Sequence, residues 1–146
     1  MFQIPILTML RIRTYVDSDY EDVKQNLVDG KLFDKIKDSR KNLLLKINLN
    51  SHSIIVAEWN GAVVGNVFII MDGWSALVFR LAVRKKIREA GIGTQLLQEA
   101  EEHLMKMGVK EVLLFIDQKN KKMLNWFKKH KYGVSGNYSC LYKKLK

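Results

Sequence analysis

The sequence predicts an α/β (α+β) fold, a mixed sheet in which an antiparallel meander is followed by a strand–helix–strand (βαβ) unit. Asn60-Gly61 and Asp72-Gly73 separate three β-rich runs, and such dipeptides are typical of tight turns between antiparallel strands. An amphipathic segment then begins near Gly91. The residues from Val112 to Ile116 are all apolar, which is the pattern of a strand buried on both faces.

The N-terminal half predicts one strand and two helices before the meander. A short β-rich run covers Ile12 to Val16, and Asp17 and Ser18 are favourable N-cap residues for the helix that follows. A second helix is predicted from Leu32 to Ile47. The strands of the meander are predicted over Ile54 to Trp59, Ala62 to Met71 and Trp74 to Val83.

The C-terminal half predicts two more helices and a final strand. Gly108 suits the C-terminal cap of the helix that starts near Gly91. Another helix is predicted from Asn120 to His130, and the alternation within Tyr138 to Leu145 predicts a last strand. We assign residues 9–146 to one domain and hypothesise that residues 1–8 are an N-terminal extension, with Met9 as the native start.

The composition is that of a soluble globular domain rather than a disordered or membrane-spanning chain. Of the 146 residues, 47% are hydrophobic and 27% are charged, and no apolar run is long enough to cross a bilayer. Cys140 is the only cysteine, which excludes an intrachain disulfide and favours a reducing, cytoplasmic location. The three histidines lack metal-ligand spacing, so no metal is expected.

The formal net charge of +10 is compatible with a polyanionic partner. The lysines are spread along the chain, however, and this favours a solvated basic surface over a specific nucleic-acid site. Nucleic-acid binding therefore remains an alternative that rests on charge alone. A basic rim also suits an anionic cofactor.

The segment from Arg88 to Gly93 indicates an anion site. Glycines at a helix start expose backbone N–H groups, and the helix dipole favours a phosphate there. A dinucleotide fingerprint needs three glycines immediately after the strand, whereas a P-loop needs Gly-Lys-Ser/Thr, and Gly93-Thr94 lacks the lysine. Neither of these nucleotide motifs is present.

The same segment resembles motif A of the GNAT superfamily of N-acetyltransferases. That motif is an apolar strand ending near Ala-Val, then Gln/Arg-x-x-Gly-x-Gly/Ala, then a helix with paired leucines. Leu81-Ala82-Val83, Arg88 to Gly93 and Leu96-Leu97 follow it in order and spacing. The stretch from Asn120 to Tyr132 is similar to a second family motif, Asn-x-x-Ala-x-x-Phe-Tyr-Glu-Lys-x-Gly-Phe. The resemblance implies a GNAT-type sheet whose fourth and fifth strands splay apart.

The resemblance also implies acetyl-CoA as the co-substrate, without a metal, and a primary amine as the acceptor. In such proteins the fourth strand pairs with the pantetheine arm, loop N–H groups hold the pyrophosphate with help from the threonine hydroxyl, and the asparagine of the second motif binds pantetheine. The implied cofactor-binding residues are Leu81, Ala82, Val83, Arg88, Glu89, Ala90, Gly91, Ile92, Gly93, Thr94, Asn120 and Phe127. The acceptor is a small molecule, a peptide or a protein, and the chain is expected to be a monomer or a homodimer.

The predicted catalytic groups are few. Phe127 stands where the family often has a tyrosine that protonates the CoA thiolate, and a phenyl ring cannot donate that proton. Tyr138 is the one candidate for this acid, and its alternative role is that of an ordinary strand residue. The amine can also attack the thioester by positioning alone, with water relaying the proton and the Leu81 N–H holding the oxyanion. The open alternative is a CoA-binding sensor or interaction module without catalysis.

Two charged strand residues have competing interpretations. Arg80 interrupts an apolar run and faces either the acceptor groove, where it would favour an anionic acceptor, or solvent. Glu58 precedes a turn and is interpreted as a hairpin charge rather than a catalytic base.

Overall fold

The structure, a computed structural model, describes residues 9–146, so the hypothetical extension over residues 1–8 lies outside it. Short 3-10 turns at Asp17–Asp19 and Lys85–Ile87 precede the first and third helices. The chain divides after Leu114 into two compact units. The strands and helices are β1 (Leu10–Thr14), α1 (Tyr20–Asp29), α2 (Arg40–Leu49), β2 (Ile54–Trp59), β3 (Ala62–Met71), β4 (Ala76–Val83), α3 (Ile92–Lys106), β5 (Val112–Leu113) and α4 (Lys121–Lys129).

The first unit contains a five-stranded mixed sheet in the order β1-β2-β3-β4-β5. The strands β1 to β4 are antiparallel neighbours, and β5 lies parallel to β4, with α3 as the crossover that a parallel pair requires. This confirms the predicted meander and βαβ unit. The β4–β5 ladder contains only Ala76↔Val112 and Leu77↔Leu113, so β4 continues to Val83 beyond it. The end of pairing after Leu113 leaves the rest of β4 without β5 as a neighbour, which is the arrangement that the predicted splay requires.

The core of the first unit joins α1 and α2 to the sheet. Val23 and Leu27 of α1 and Leu43 of α2 cluster with strand residues such as Val56 and Phe68, and all five are nearly inaccessible to solvent. Burial of apolar side chains of this size contributes about 1.5–3 kcal/mol each. The apolar pattern of the strands therefore fixes the register of the sheet that carries the site.

The second helix begins eight residues later than predicted, at Arg40 instead of Leu32. Asp34 accepts hydrogen bonds from the N–H groups of Ile36 and Lys37, both at 2.9 Å, which gives the backbone an alternative to a helix. Ser39 then caps the helix, because its hydroxyl accepts from the Asn42 N–H at 3.2 Å. The apolar periodicity upstream was a misleading signal.

The second unit, from Phe115 onward, contains α4 and otherwise irregular backbone. The Asn120 side chain accepts from the Met123 N–H at 3.2 Å and caps α4, so the helix predicted there is confirmed. The strand predicted over Tyr138 to Leu145 is wrong, and the predicted Val112–Ile116 strand is shortened to Val112–Leu113. Alternation and apolarity are local signals, whereas a strand also needs a partner ladder to satisfy its backbone.

Among the residues from 9 onward, no helix combines the length and apolarity needed to span a membrane.

Candidate functional site

The connection from β4 to α3 forms a loop that turns through two left-handed residues. Glu89 has φ 71°, and Gly91, the N-cap of α3, has φ 86°. The helix's first backbone bond runs from the Gln95 N–H to the Gly91 carbonyl at 3.1 Å, and the N–H groups of Ile92 and Gly93 precede it. At a helix start such N–H groups lack intrahelical acceptors and point toward the space before the helix. This is the geometry of an anion cradle.

The loop is fastened to the C-terminal end of α1 through Asp29. The Asp29 carboxylate accepts from the Lys85 N–H at 3.1 Å, and the Asp29 carbonyl accepts from Arg88 Nη2 at 2.8 Å. Hydrogen bonds from the Lys85 N–H and the Gln25 amide lower the pKa of Asp29, so the carboxylate is ionised at neutral pH. The end of the first helix therefore sets the position of the loop.

Arg88 also binds the end of its own strand, because its Nε donates to the Val83 carbonyl at 3.1 Å. The sequence suggested a contact with phosphate for this side chain. In the structure two of its five N–H donors shape the loop, and such a fork still has further donors for an anion.

Gly65 in β3 allows α3 to approach the sheet. A Cβ at this position would lie 2.9 Å from Leu96 Cδ1, 3.3 Å from Ile92 Cγ2 and 3.2 Å from the Ala82 carbonyl oxygen. The Leu96 contact is closer than real Cβ atoms come and the other two are tighter than most, so a larger residue would require the Leu96 side chain to move and its neighbours to shift slightly. Sequence reasoning missed this glycine, because a single glycine in a strand shows no distinctive local pattern.

The strand that leads into the loop contains a β-bulge at Arg80. Phe68 pairs with Phe79 and Asn66 with Ala82, so β4 has one residue more than β3 between these pairs. Arg80 takes up the extra residue with φ 52°, which is uncommon for a side chain with a Cβ. Past the bulge, Leu81 to Val83 continue the strand beyond the end of the β5 ladder. Their outer backbone edge is the one the sequence predicted for the pantetheine arm.

The Arg80 side chain does not simply extend into solvent. Its Nε donates at 3.2 Å to Asp38, a buried carboxylate in the segment between α1 and α2. Asp38 also accepts from the Asp34 N–H at 2.9 Å. The predicted solvent-facing orientation of Arg80 is therefore wrong, because the guanidinium is mostly buried and paired with Asp38.

Lys46 of α2 lies against the same strand and was missed by sequence reasoning. Its ammonium donates to the Ile69 carbonyl at 2.8 Å and lies 4.9 Å from the centre of the Phe79 ring. Burial lowers the pKa of Lys46 to about 8. In the sequence, Lys46 looks like any other solvent-exposed lysine of a helix. Only its burial in the structure distinguishes it from them.

Glu58 fits its interpretation as a hairpin charge. It accepts from Arg13 at 3.0 Å, and the same guanidinium binds Asp19 at 2.7 and 2.9 Å. The carboxylate is therefore already engaged in an ion-pair network between β1 and β2.

The second unit holds the other predicted site residues. Asn120 uses its side-chain oxygen to cap α4, and its NH₂ group is a separate donor. Phe127 is buried and packs edge-on against Tyr132, with ring centres 5.4 Å apart. Tyr138 is 85% exposed in the irregular segment. The roles suggested for these residues stay predictions.

A cavity of about 300 Å³ lies beside the far end of α3. His103 of that helix stacks on His52 with ring centres 4.3 Å apart, and burial together with His52 lowers the pKa of His103. Charges of both signs, Glu99, Glu102 and Lys106 among them, line the cavity. Within the described part of the chain no group of three or more side chains is arranged to hold a metal.

Comparisons with known proteins agree with this geometry. The sequence model of the Acetyltransferase (GNAT) family matches residues 14–132. An acetyltransferase of Yersinia enterocolitica is 25% identical over 123 residues, which cover 84% of this chain and 87% of that protein.

Two solved structures show the same fold. Ard1 from Thermoplasma volcanium superimposes with a TM-score of 0.78 at 19% identity, covering 88% of this chain and 85% of the other. The PaiA N-acetyltransferase of Thermoplasma acidophilum, solved in complex with coenzyme A, gives 0.74 at 20% identity and covers 88% and 92%. Since the family match extends over most of the sequence, the chain belongs to the GNAT family of acetyltransferases, which use acetyl-CoA as the acyl donor.

Proposed function

We propose that this protein is an N-acetyltransferase that moves an acetyl group from acetyl-CoA to a primary amine by direct attack on the thioester. The observation that supports it most is the joined geometry of strand and loop. The strand from Leu81 to Val83 is joined by a short loop to the cradle at Gly91, and this arrangement suits a long ligand with an acyl end and a pyrophosphate end. The acceptor is a small molecule, a peptide or a protein.

The proposed donor site uses the backbone more than side chains. Loop N–H groups from Arg88 to Gly93 and the Thr94 hydroxyl would hold the pyrophosphate, and the Leu81 N–H would hold the oxyanion. Asn120 and Phe127 would contact pantetheine, as the resemblance implies. Tyr138 is the candidate proton donor for the thiolate, with water as the alternative relay.

The test begins with the donor. Acetyl-CoA at about 100 times its Kd should stabilise the protein by roughly 2.7 kcal/mol, which a thermal-shift assay detects. Thiol release is then followed with a panel of amines, polyamines and peptides. Absence of a shift at millimolar acetyl-CoA would contradict the proposal.

One specific observation favours a second candidate, a CoA-binding sensor or interaction module without catalysis. Phe127 is packed into its unit and has no group that could protonate a thiolate. A thermal shift with acetyl-CoA but no thiol release with any amine would support this candidate. The cytosolic location and the monomeric or homodimeric state stay predictions from the sequence.

A further inference from the structure

A chain of buried amides connects the β4 bulge to the start of the donor loop. Asn66 and Asn26 are both fully buried, on β3 and α1 respectively. Asn66 Nδ2 donates to the Arg80 carbonyl at 2.9 Å, and Asn66 Oδ1 accepts from Asn26 Nδ2 at 3.1 Å. Asn26 Oδ1 in turn accepts from Arg84 Nε at 2.8 Å. Three elements that are distant in sequence thus meet in one network.

The direction of donation in this network is fixed by chemistry. Arginine has only donors and a carbonyl has only acceptors, so the two amides between them can be oriented in one way alone. Reversing either amide would place two donors or two acceptors against each other in a site without solvent, which is costly. The network therefore links the Arg84 guanidinium to the Arg80 carbonyl through two amides of fixed orientation.

The two ends of this amide network, the Arg80 carbonyl and Arg84, lie on either side of the strand residues that are proposed to bind the thioester and pantetheine. The Arg80 carbonyl lies at the bulge, outside the regular β3–β4 pairing, and Asn66 supplies a hydrogen-bond donor for it. At the other end Arg84 is also held through its N–H, which donates to the Val64 carbonyl at 2.7 Å. Leu81 to Val83 lie between these two fixed points.

We propose that Asn66 and Asn26 are positioning residues that hold the strand from Arg80 to Arg84 in the shape acetyl transfer requires. This inference rests on the proposed function. Asn66 controls the bulge, and hence the direction of the Leu81 N–H, whereas Arg84 controls the entry to the pyrophosphate loop. Changes at the two ends should therefore affect different steps. A change at Asn66 should slow acetyl transfer, whereas a change at Arg84 should weaken the binding of acetyl-CoA.

The decisive variant is Asn66→Asp, which keeps the size and the acceptor for Asn26 but removes the donor for Arg80. At alkaline pH, where the introduced carboxyl is ionised, we expect turnover with the best amine of the panel to fall about 10- to 100-fold, the cost of a small misplacement. The Kd for acetyl-CoA, measured by calorimetry, should stay within about twofold of wild type. Arg84→Lys should show the opposite pattern, with a weaker Kd and a smaller loss of turnover.

The pH profile separates positioning from a general loss of stability. When protonated, the introduced carboxyl can donate to the Arg80 carbonyl as the amide does, and burial favours the protonated form. The turnover of Asn66→Asp relative to wild type should therefore recover as the pH is lowered.

Ser53→Ala is the matched control, since Ser53 is also buried and donates to a backbone carbonyl, that of Lys46 at 3.2 Å, outside this network. It should lower the melting temperature without changing relative turnover or its pH profile.

The outcomes are distinguishable. A wild type that does not bind acetyl-CoA overturns the proposed function, and this inference with it. A wild type that binds and transfers, beside an Asn66→Asp variant whose turnover equals that of wild type even at alkaline pH, or whose loss is independent of pH, overturns only the inference. If Asn66→Asp does not fold, Asn26→Asp replaces it, because it keeps the acceptor for Arg84 and removes the donations to Asn66 and to the Val63 carbonyl. Unchanged turnover in that variant would also overturn the inference.

Discussion

The donor segment, from Arg80 to Thr94, and the C-terminal unit, from Phe115 onward, are held in different ways. In the donor segment, Lys85 and Arg88 bind Asp29, which lies 56 and 59 positions earlier in the chain. The side-chain bonds described in the C-terminal unit are short in sequence, such as Asn120 to Met123 and His130 to Trp126. The geometry of the donor segment therefore depends on a contact that is distant in sequence, whereas the bonds named in the C-terminal unit join residues of α4 and its cap.

This difference predicts how the two regions respond to substitution. A change in the donor segment should alter the shape of the cradle and thereby the affinity for acetyl-CoA. A change at an exposed C-terminal residue should alter chemistry alone, with little effect on stability. The following variants test this division, from the largest expected effect to the smallest.

The largest effect is expected for Gly91→Val. A β-branched residue in the left-handed region costs about 1–3 kcal/mol, and here it would displace the N–H groups of the cradle. We expect the Kd for acetyl-CoA, measured by calorimetry, to rise about 100-fold, equivalent to roughly 2.7 kcal/mol.

Gly108→Val is the matched control for this variant, because it substitutes the left-handed glycine that follows α3, at φ 84°. A Cβ there meets no heavy atom of the described chain within 4 Å. It should cost similar stability, because the strain is similar, yet leave the Kd unchanged. Equal losses of affinity in both variants would show that the loop has no special part in binding.

The next effect is expected for Tyr138→Phe in the C-terminal unit. If the phenol protonates the thiolate, turnover should fall about tenfold, less than a full general acid contributes, because water can replace it. The melting temperature should not change, since the side chain is 85% exposed. Tyr142→Phe, 87% exposed in the same segment, is the control and should change neither quantity. Equal turnover in the two variants would leave water as the proton donor.

The difference between local and long-range contacts also explains which parts of the fold the sequence could predict. The sequence predicted the bounds of β2 and β3 and the start of α3 correctly. Asn60-Gly61 and the loop glycines impose a local backbone geometry that few other sequences allow. The predicted strand over Tyr138 to Leu145 is wrong, because alternation alone does not supply a pairing partner.

The parts of the site that sequence reasoning missed are those that depend on long-range contacts. An arginine at φ 52°, as at Arg80, has no local signature, because its conformation is stabilised by Asn66 from another strand. Asn26 and Asp38 likewise look, from the sequence, like surface residues of the first and second predicted helices. Their burial follows only from the packing of α1 and α2 on the sheet.

Lys46→Met acts on stability rather than on turnover or affinity, and it tests burial within the first unit. The pKa of Lys46 is about 8 in the folded protein, against 10.5 as its ordinary value. The unfolded chain therefore binds more protons between these values, and wild-type stability should rise with pH there. Relative to the variant, wild type should gain about 2 kcal/mol in free energy of unfolding from pH 7 to pH 10, by urea denaturation. Lys41→Met, an exposed substitution on the same helix, should show no such trend.

The smallest effect is expected for Asp29→Ala, which detaches the donor loop from α1 at one point. The lost bond from the Lys85 N–H contributes about 1 kcal/mol at most in this exposed position, so the Kd for acetyl-CoA should rise about threefold. Because the pKa of Asp29 is lowered by this bond and by Gln25, the carboxylate is present throughout neutral pH. The threefold ratio should thus be constant from pH 6 to pH 9, and should disappear only near the acidic range where the carboxylate is protonated.

Asp34→Ala removes a comparable exposed carboxylate that accepts from the Ile36 and Lys37 N–H groups, outside the donor segment. If it weakened acetyl-CoA binding equally, the anchoring of the loop by α1 would not be specific, and the contrast between the two regions would lose its basis.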